Sequence, residues 1–312
     1  MCSLTNRKLS KEAKRVKAGA RSKVGSIYEL FIDTHKLRPH HFPLRYIRWS
    51  VVIAIAATFY LSFKWGLDFL GGSLNGSRLA SFFLIDLYTG IEFVAAHKMI
   101  TLNVIIGLAT IFVFYVIVGG RTFCSWVCPY GLLAEITEIA HTYLEKKGFI
   151  KKRQMHSERI RYVFWIIFII IPLFAGVIFF EAFNPVDILN RAVTYGPTFL
   201  LLWALLLLLY ETFFDRRAWC KYICPTGTTY GILGKISLLR IKLDLDACTD
   251  CGNCYKVCID PILLTDTHAK ANIASERKSF VSGASCTNCA RCIDVCGTSA
   301  YKFDIRYLNK IL

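Results

Sequence analysis

Cys248-Thr-Asp-Cys251-Gly-Asn-Cys254-Tyr-Lys-Val-Cys258 and, 38 residues on, Cys286-Thr-Asn-Cys289-Ala-Arg-Cys292-Ile-Asp-Val-Cys296 are two copies of C-x2-C-x2-C-x3-C. Three cysteines at two-residue spacing on a turning loop can reach three corners of an iron–sulfur cubane, while a fourth thiolate arrives from elsewhere. Zinc builds its tetrahedral site from paired C-x2-C knuckles and has no need of a third cysteine at the next spacing, so the tandem pattern points to two [4Fe–4S] clusters. Where two such clusters share a domain, the fourth cysteine crosses over. This assigns Cys248, Cys251, Cys254 and Cys296 to one cluster and Cys286, Cys289, Cys292 and Cys258 to the other. Proline does not directly follow the last cysteine of either copy: Pro261 lies three residues beyond Cys258, and Gly297 follows Cys296. The long segment Pro261–Ala284 predicts a surface insertion.

Outward from this block, the chain turns apolar. Of its 312 residues 54% are hydrophobic, with a mean hydropathy of +0.44, too apolar for an ordinary soluble protein. Uncharged runs cover Trp49–Phe63, Met99–Gly120, Tyr162–Phe180 and Ala192–Tyr210, of 15, 22, 19 and 19 residues. A span needs about 20. The first run reaches that length if Lys64 snorkels and the helix continues towards Leu70. Lys and Arg alternate between the runs: 12 in 1–48, 2 in 71–98, 8 in 121–161, 1 in 181–191 and 14 in 215–312. This positive-inside pattern predicts a multi-pass protein of a bacterial inner membrane with both termini cytoplasmic. It also accounts for the formal charge of +16 without a nucleic-acid partner. No apolar core of a signal peptide lies in the first 40 residues, and 12 of the 13 cysteines fall in motifs, with Cys2 left over, so metal ligation in a reducing compartment is expected rather than disulfides.

The fold class expected is an all-α membrane domain over 48–240, four transmembrane helices as two repeated hairpins, followed over 241–312 by a small α+β bacterial two-cluster ferredoxin domain. Residues 1–47 form a basic cytoplasmic segment whose stretch Leu9–Leu30 is either an amphipathic helix drawn to an anionic leaflet or a solvated tail. Residues 79–91, apolar but broken by Asp86 and Gly90, predict an interfacial segment on the outer face.

An internal repeat runs through the apolar part at an offset of 96 residues. Arg121-Thr-Phe-Cys124-Ser-Trp-Val-Cys128-Pro129-Tyr-Gly131 matches Arg217-Ala-Trp-Cys220-Lys-Tyr-Ile-Cys224-Pro225-Thr-Gly227 at Arg, aromatic, both cysteines, Pro and Gly. Proline after the second cysteine suits the first turn of a new helix, placing that cysteine near a helix N-terminus, which favours thiolate. Each pair could ligate a metal, form a redox disulfide or border a quinone pocket. The plain alternative, small residues at a helix break, leaves the register of Arg and Pro unexplained.

With these motifs in hand the chain resembles the NapH-type ferredoxin family, the membrane quinol dehydrogenase component of periplasmic nitrate reductase systems. The resemblance covers about residues 45–305 and rests on FCSWVCP at 123–129, FNPVDILNR at 183–191, CKYICPTGTTYGILG at 220–234 and both cluster motifs. Related proteins of methylamine dehydrogenase maturation, nitrous oxide reduction and cytochrome oxidase assembly share parts of the set. The resemblance implies oxidation of menaquinol or ubiquinol, with electrons passing towards a periplasmic reductase through a partner iron–sulfur or c-type haem protein. Candidate catalytic residues are Cys124, Cys128, Cys220, Cys224, Glu135 and Glu181; Tyr130 and His141 near the inner face and Asn184 near the outer join them as candidates for a quinone site. An outside acceptor and cytoplasmic clusters stand about 30 Å of hydrocarbon apart. Quinone, a penetrating partner or a cytoplasmic reaction must bridge that gap. Two other functions fit parts of the pattern: an assembly or metal-reduction factor, in which the C-x3-C-P thiols bind or reduce copper, and a transporter, which the near absence of ionisable residues in the spans disfavours.

Overall fold

The computed structural model describes residues 43–66, 70–72, 74, 76–79, 82–150, 160–274 and 277–306; Cys2 and the basic stretch 9–30 lie outside the described residues. The first half comprises α1 (Leu44–Lys64), an antiparallel meander of β1 (Leu70–Gly72), β2 (Gly76–Leu79) and β3 (Phe82–Ile85), then α2 (Leu87–His97), α3 (Leu102–Val118), the short α4 (Thr122–Trp126) and α5 (Pro129–Lys146). The second half comprises α6 (Ile160–Ala175), α7 (Phe180–Phe183), α8 (Pro185–Tyr195), α9 (Leu200–Phe213), a π-helical turn (Trp219–Ile223) and α10 (Pro225–Gly234). The C-terminal part follows as β4 (Leu239–Asp244), α11 (Asn253–Val257), α12 (Pro261–Ile273), β5 (Lys278–Phe280), α13 (Arg291–Asp294) and β6 (Tyr301–Ile305).

Among the described residues α1, at 21 residues, is the one helix long and apolar enough to cross a membrane; α3, α6 and α9 are apolar but shorter. The uncharged runs overstate these helices because glycines break them. Gly119 (φ 112°) ends α3, Gly176 (φ 67°) turns the chain after α6, and Gly196 (φ 101°) divides the run 192–210 between α8 and α9. Such φ values cost glycine little and other residues much. Each half is therefore more than a plain hairpin, and the first also carries the meander, which an all-α reading omits.

The two halves place corresponding pieces in corresponding contacts. The 11-residue helices α2 and α8 start from the side-chain caps Asp86 and Asn184. Helix α2 packs on α6 and α10 of the other half, and α8 packs on α1 and α5. Asp86, within the segment 79–91 expected to be interfacial, is an integral part of the bundle. It is buried, caps α2 through Tyr88 N–H and Thr89 N–H, and accepts from Tyr230 Oη at 2.6 Å, which places it at the end of the bundle that carries the C-x3-C-P motifs. Between the halves lies an aromatic core. Tyr88 meets Phe180 edge-on at 5.2 Å, Phe180 stacks on Trp219, and Tyr230 packs on Tyr115 and Phe123 at 4.6 and 5.3 Å.

In the C-terminal part β4 is the central strand, antiparallel to β5 and β6. Ile241 and Leu243 of β4 lie in its core with Cys254, Leu264, Ala271, Cys292 and Tyr301. The segment after Pro261 is no loose insertion. It forms α12, which buries Leu264, Thr267 and Ala271 against the sheet, and then the edge strand β5.

Candidate metal centre

The two cysteine motifs fold alike because the same positions take the left-handed conformation. Asp250 and Asn288 (φ 55° and 50°), and Gly252 and Ala290 (φ 81° and 60°), are equivalent across the 38-residue offset. For Asn288 and Ala290 this region is sparsely populated, and such backbone persists where the surroundings hold it. The bends turn each loop around its thiols and aim N–H groups inward; Asp250 N–H donates to Cys248 Sγ at 3.4 Å. Cys248, Cys251, Cys254 and Cys296 line one pocket, together with Tyr255, His268 and Tyr301. Tyr301 Oη donates towards Cys254 Sγ at 3.7 Å and meets His268 Nε2 at 2.9 Å. Cys258, at the end of the first motif, lies beside Cys289 and Cys286 of the second.

The donor set fits an iron–sulfur core. Burial pushes the Cys254 thiol up to about 12 and lifts Cys258 and Cys292 well above the ordinary range, so these thiols ionise only against a strong local positive charge such as bound iron. Among the described residues no group of three or more His, Cys, Asp or Glu side chains is disposed around a single ion. Arg240 adds a separate sign. It is fully buried, and its guanidinium is directed at the Cys286 thiol. A buried guanidinium needs a counter-charge. A thiolate-bound cluster at Cys286 supplies one.

The second motif is seated on the helical part, and the sequence reading missed how. Arg291, between Cys289 and Cys292, reaches Glu138 at 2.8 Å and Glu135 at 3.4 Å on α5. The same carboxylates hold Arg48 of α1 (3.0 Å to Glu135) and Arg217 (2.9 Å to Glu138), with Arg216 at 3.7 Å. Burial alone would raise both carboxyls; Arg291 first, then Arg48 and Arg217 for Glu135 and Arg217 and Arg216 for Glu138, outweigh it and hold each at about 2. Around this pin, Asp294 accepts from Leu44 N–H and Arg45 N–H at 3.0 and 3.3 Å, capping α1. Ser125 Oγ donates to Thr287 O at 2.6 Å, Trp126 Nε1 to Asn288 O at 3.1 Å and Arg161 to Ser285 Oγ at 2.6 Å. The acidic Glu135 and Glu138, three residues apart in a strongly basic chain, were the available signal.

Of the remaining candidates, Cys124, Cys128, Cys220 and Cys224 pack at one end of the aromatic core. Tyr130 is fully buried beside Glu211, and His141 Nδ1 lies 2.8 Å from Thr212 O. Glu181 is partly exposed and 4.0 Å from Arg191, and Asn184 caps α8 by accepting from Val186 N–H at 3.2 Å. Glu135 sits in the arginine cluster.

Fold and thiols together define a ferredoxin-type iron–sulfur protein of electron transport, with a helical part ahead of the cysteine-rich one. Two family models match: a 4Fe-4S binding domain over 100–142 and 195–245, and a 4Fe-4S dicluster domain over 240–297. The ferredoxin-type protein NapH of Haemophilus influenzae is 32% identical over 84% of this chain and 91% of its own length. NapH of Escherichia coli is 29% identical over 83% and 90%, and the methylamine utilization ferredoxin-type protein MauN of Paracoccus denitrificans 33% identical over 61% and 66%. No solved structure matches. The chain belongs to the NapH/MauN-like ferredoxin-type family.

Proposed function

We propose that this protein is a membrane-bound electron-transfer subunit that oxidises quinol and passes the electrons through two [4Fe–4S] clusters to a partner iron–sulfur or c-type haem protein, towards a reductase of the periplasmic nitrate type. The observation that carries the reading is the seating of the second cysteine loop, through Arg291 and Asp294, on the apolar helical part. A cofactor held there borders the phase in which a lipid-soluble reductant resides. Cys248, Cys251, Cys254 and Cys296 would hold the distal cluster and Cys258, Cys286, Cys289 and Cys292 the one against the helices. Each cluster, when bound, takes one electron, and quinol releases two electrons and two protons.

Large apolar side chains on α3 (Ile105, Phe112, Val113), α6 (Ile166, Ile170, Phe174) and α9 (Leu202, Leu206, Leu209) are exposed. Such a belt is a liability in water and ordinary in lipid. It supports α1, α3, α6 and α9 as four spans of residues 48–240, the shorter ones matched by local thinning of the bilayer, in an inner membrane with residues 1–47 and 241–312 on the cytoplasmic side. Addition of menaquinol or ubiquinol to anaerobically purified protein in detergent should bleach its broad visible absorption reversibly. Intact clusters that keep their colour under both quinols would refute the proposal.

A further inference from the structure

Two cysteine pairs 96 residues apart in sequence end at one place in the structure. A Cβ placed on Gly227 would lie 3.7 Å from both Cys124 Sγ and Cys224 Sγ, one thiol from each half, and 3.1 Å from the Arg121 guanidinium. Cys128 is within electrostatic range of Cys124 and Cys224, and Cys220 of Cys224 and Cys128. We propose that Cys124, Cys128, Cys220 and Cys224 form one site between the two halves, and that this site takes a third iron–sulfur cluster.

Three independent features argue for a cluster. First, the sulfurs receive backbone donors in matching fashion: Gly131 N–H donates to Cys128 Sγ at 3.3 Å and Gly227 N–H to Cys224 Sγ at 3.4 Å, where the two cysteines cap α5 and α10. Hydrogen bonds to ligand sulfur are a standard means of holding and tuning a cluster. Second, the charge is right. Cys124 and Cys220 open on a cleft lined also by Arg121, Arg161, Arg217 and Lys221, with Asp260 the one carboxylate among the described residues that line it. Four thiolates around an iron–sulfur core carry net negative charge, which this lining offsets. Third, glycine at 227 leaves open a cradle that any side chain would fill. Soft thiolates also take copper or zinc, which metal content separates from iron. The model described as a 4Fe-4S binding domain spans these four cysteines and ends at residue 245, before Cys248.

The cleft also touches Ile259, Asp260, Ser285 and Thr287, the neighbours of Cys258 and Cys286. The third cluster therefore lies next to the tail set that is seated on the helices, on its bundle side.

The test is iron, acid-labile sulfide and electron paramagnetic resonance of the full chain, purified anaerobically in detergent. The wild type should hold iron and sulfide beyond what two cubane clusters account for. Cys124→Ser, Cys128→Ser, Cys220→Ser and Cys224→Ser should each remove that same excess and the same signal, with the tail signals retained as proof of folding. Gly227→Ala, which leaves every thiol in place, should lose the excess as well. Iron no greater than two clusters require, copper or zinc bound in place of iron, a disulfide between any two of the four, or different signals lost from the two pairs would each overturn the proposal. Cys258→Ser should abolish a tail signal and spare the third. A third signal that persists in protein failing to respond to quinol would fault the proposed function and leave this site standing.

Discussion

Replacing Glu138 with Gln should loosen the cysteine-rich tail from the helices. The carboxylate lies 2.8 Å from Arg291 Nη1, 2.9 Å from Arg217 Nε and 3.7 Å from Arg216 Nη1, and all but Arg216 are buried. Glutamine keeps the shape and removes the charge. A carboxyl held at about 2 instead of the ordinary 4.5 corresponds to about 3 kcal/mol at 1.36 kcal/mol per pH unit, shared among Arg291, Arg217 and Arg216, of which Arg291 alone belongs to the tail. Removing one partner of a buried pair costs about 3–5 kcal/mol independently of that argument. The low end applies because Glu135 remains 3.4 Å from Arg291 and 3.8 Å from Arg217. About 3 kcal/mol is a factor of roughly 100 in the equilibrium between seated and released tail. Hydrogen exchange of the amides in 286–294 of the detergent-solubilised protein reads this directly, and thermal loss of cluster absorbance reads its consequence. The sign in pH is set by the depressed carboxyls: their stabilisation is complete above about 4.5 and is lost as pH falls towards 2. Seating should therefore be flat between pH 8 and 5, and Glu138→Gln should lower it uniformly over that window. A change smaller than about 0.5 kcal/mol, or an effect confined to one part of that pH range, would refute the reasoning.

Tyr301→Phe removes a hydroxyl donor to Cys254 Sγ and should shift one tail-cluster potential negative while leaving the other tail cluster's in place, as read by redox titration. Arg240→Met removes the positive charge facing Cys286 and should lower the other tail potential, which Tyr301→Phe spares; the same titration, with both variants, checks the crossed assignment. Asp294→Ala uncaps α1 and should cost about 1 kcal/mol in a thermal melt, the ordinary worth of an N-cap. Gly231→Ala puts a methyl 2.7 Å from Ala284 O and 3.3 Å from Arg121 Cδ, so it should destabilise the seated tail by about 1–3 kcal/mol in the hydrogen-exchange assay used for Glu138→Gln.

The thiols of the tail were legible in sequence because covalent spacing alone decides which sulfurs a loop can present. Asp250 and Asn288 took the same conformation for the same reason. The spans were less legible. Absence of charge marks what lipid tolerates, not where a helix stops, and Gly119, Gly176 and Gly196 stop helices inside or at the ends of uncharged runs. Asp86 read as an interruption because its partner Tyr230 is 144 residues away. The arginine cluster was invisible for a like reason: Arg291 and Glu138 are 153 residues apart, and no local pattern ties a basic residue inside a cysteine motif to a helix in another part of the chain.

The sequence repeat bears on how the helical part seats the tail in one orientation. At the offset of 96 residues, Glu135 and Glu138 of α5 correspond to Gly231 and Gly234 of α10. One helix keeps two carboxylates and grips Arg291, while the other has no side chain at either place and lets backbone come close. A Cβ on Gly231 would meet Ala284 O at 2.7 Å, and one on Gly234 would meet the Arg240 guanidinium at 2.6 Å. Charge on one side and close approach on the other orient the tail, since turning it half a revolution would set Arg291 against glycines and Ala284 against buried carboxylates. The cysteines, Arg121 and Arg217, and the two prolines keep their register at this offset, as the proposed site shared by both halves would require, whereas the positions that meet the tail differ between the halves.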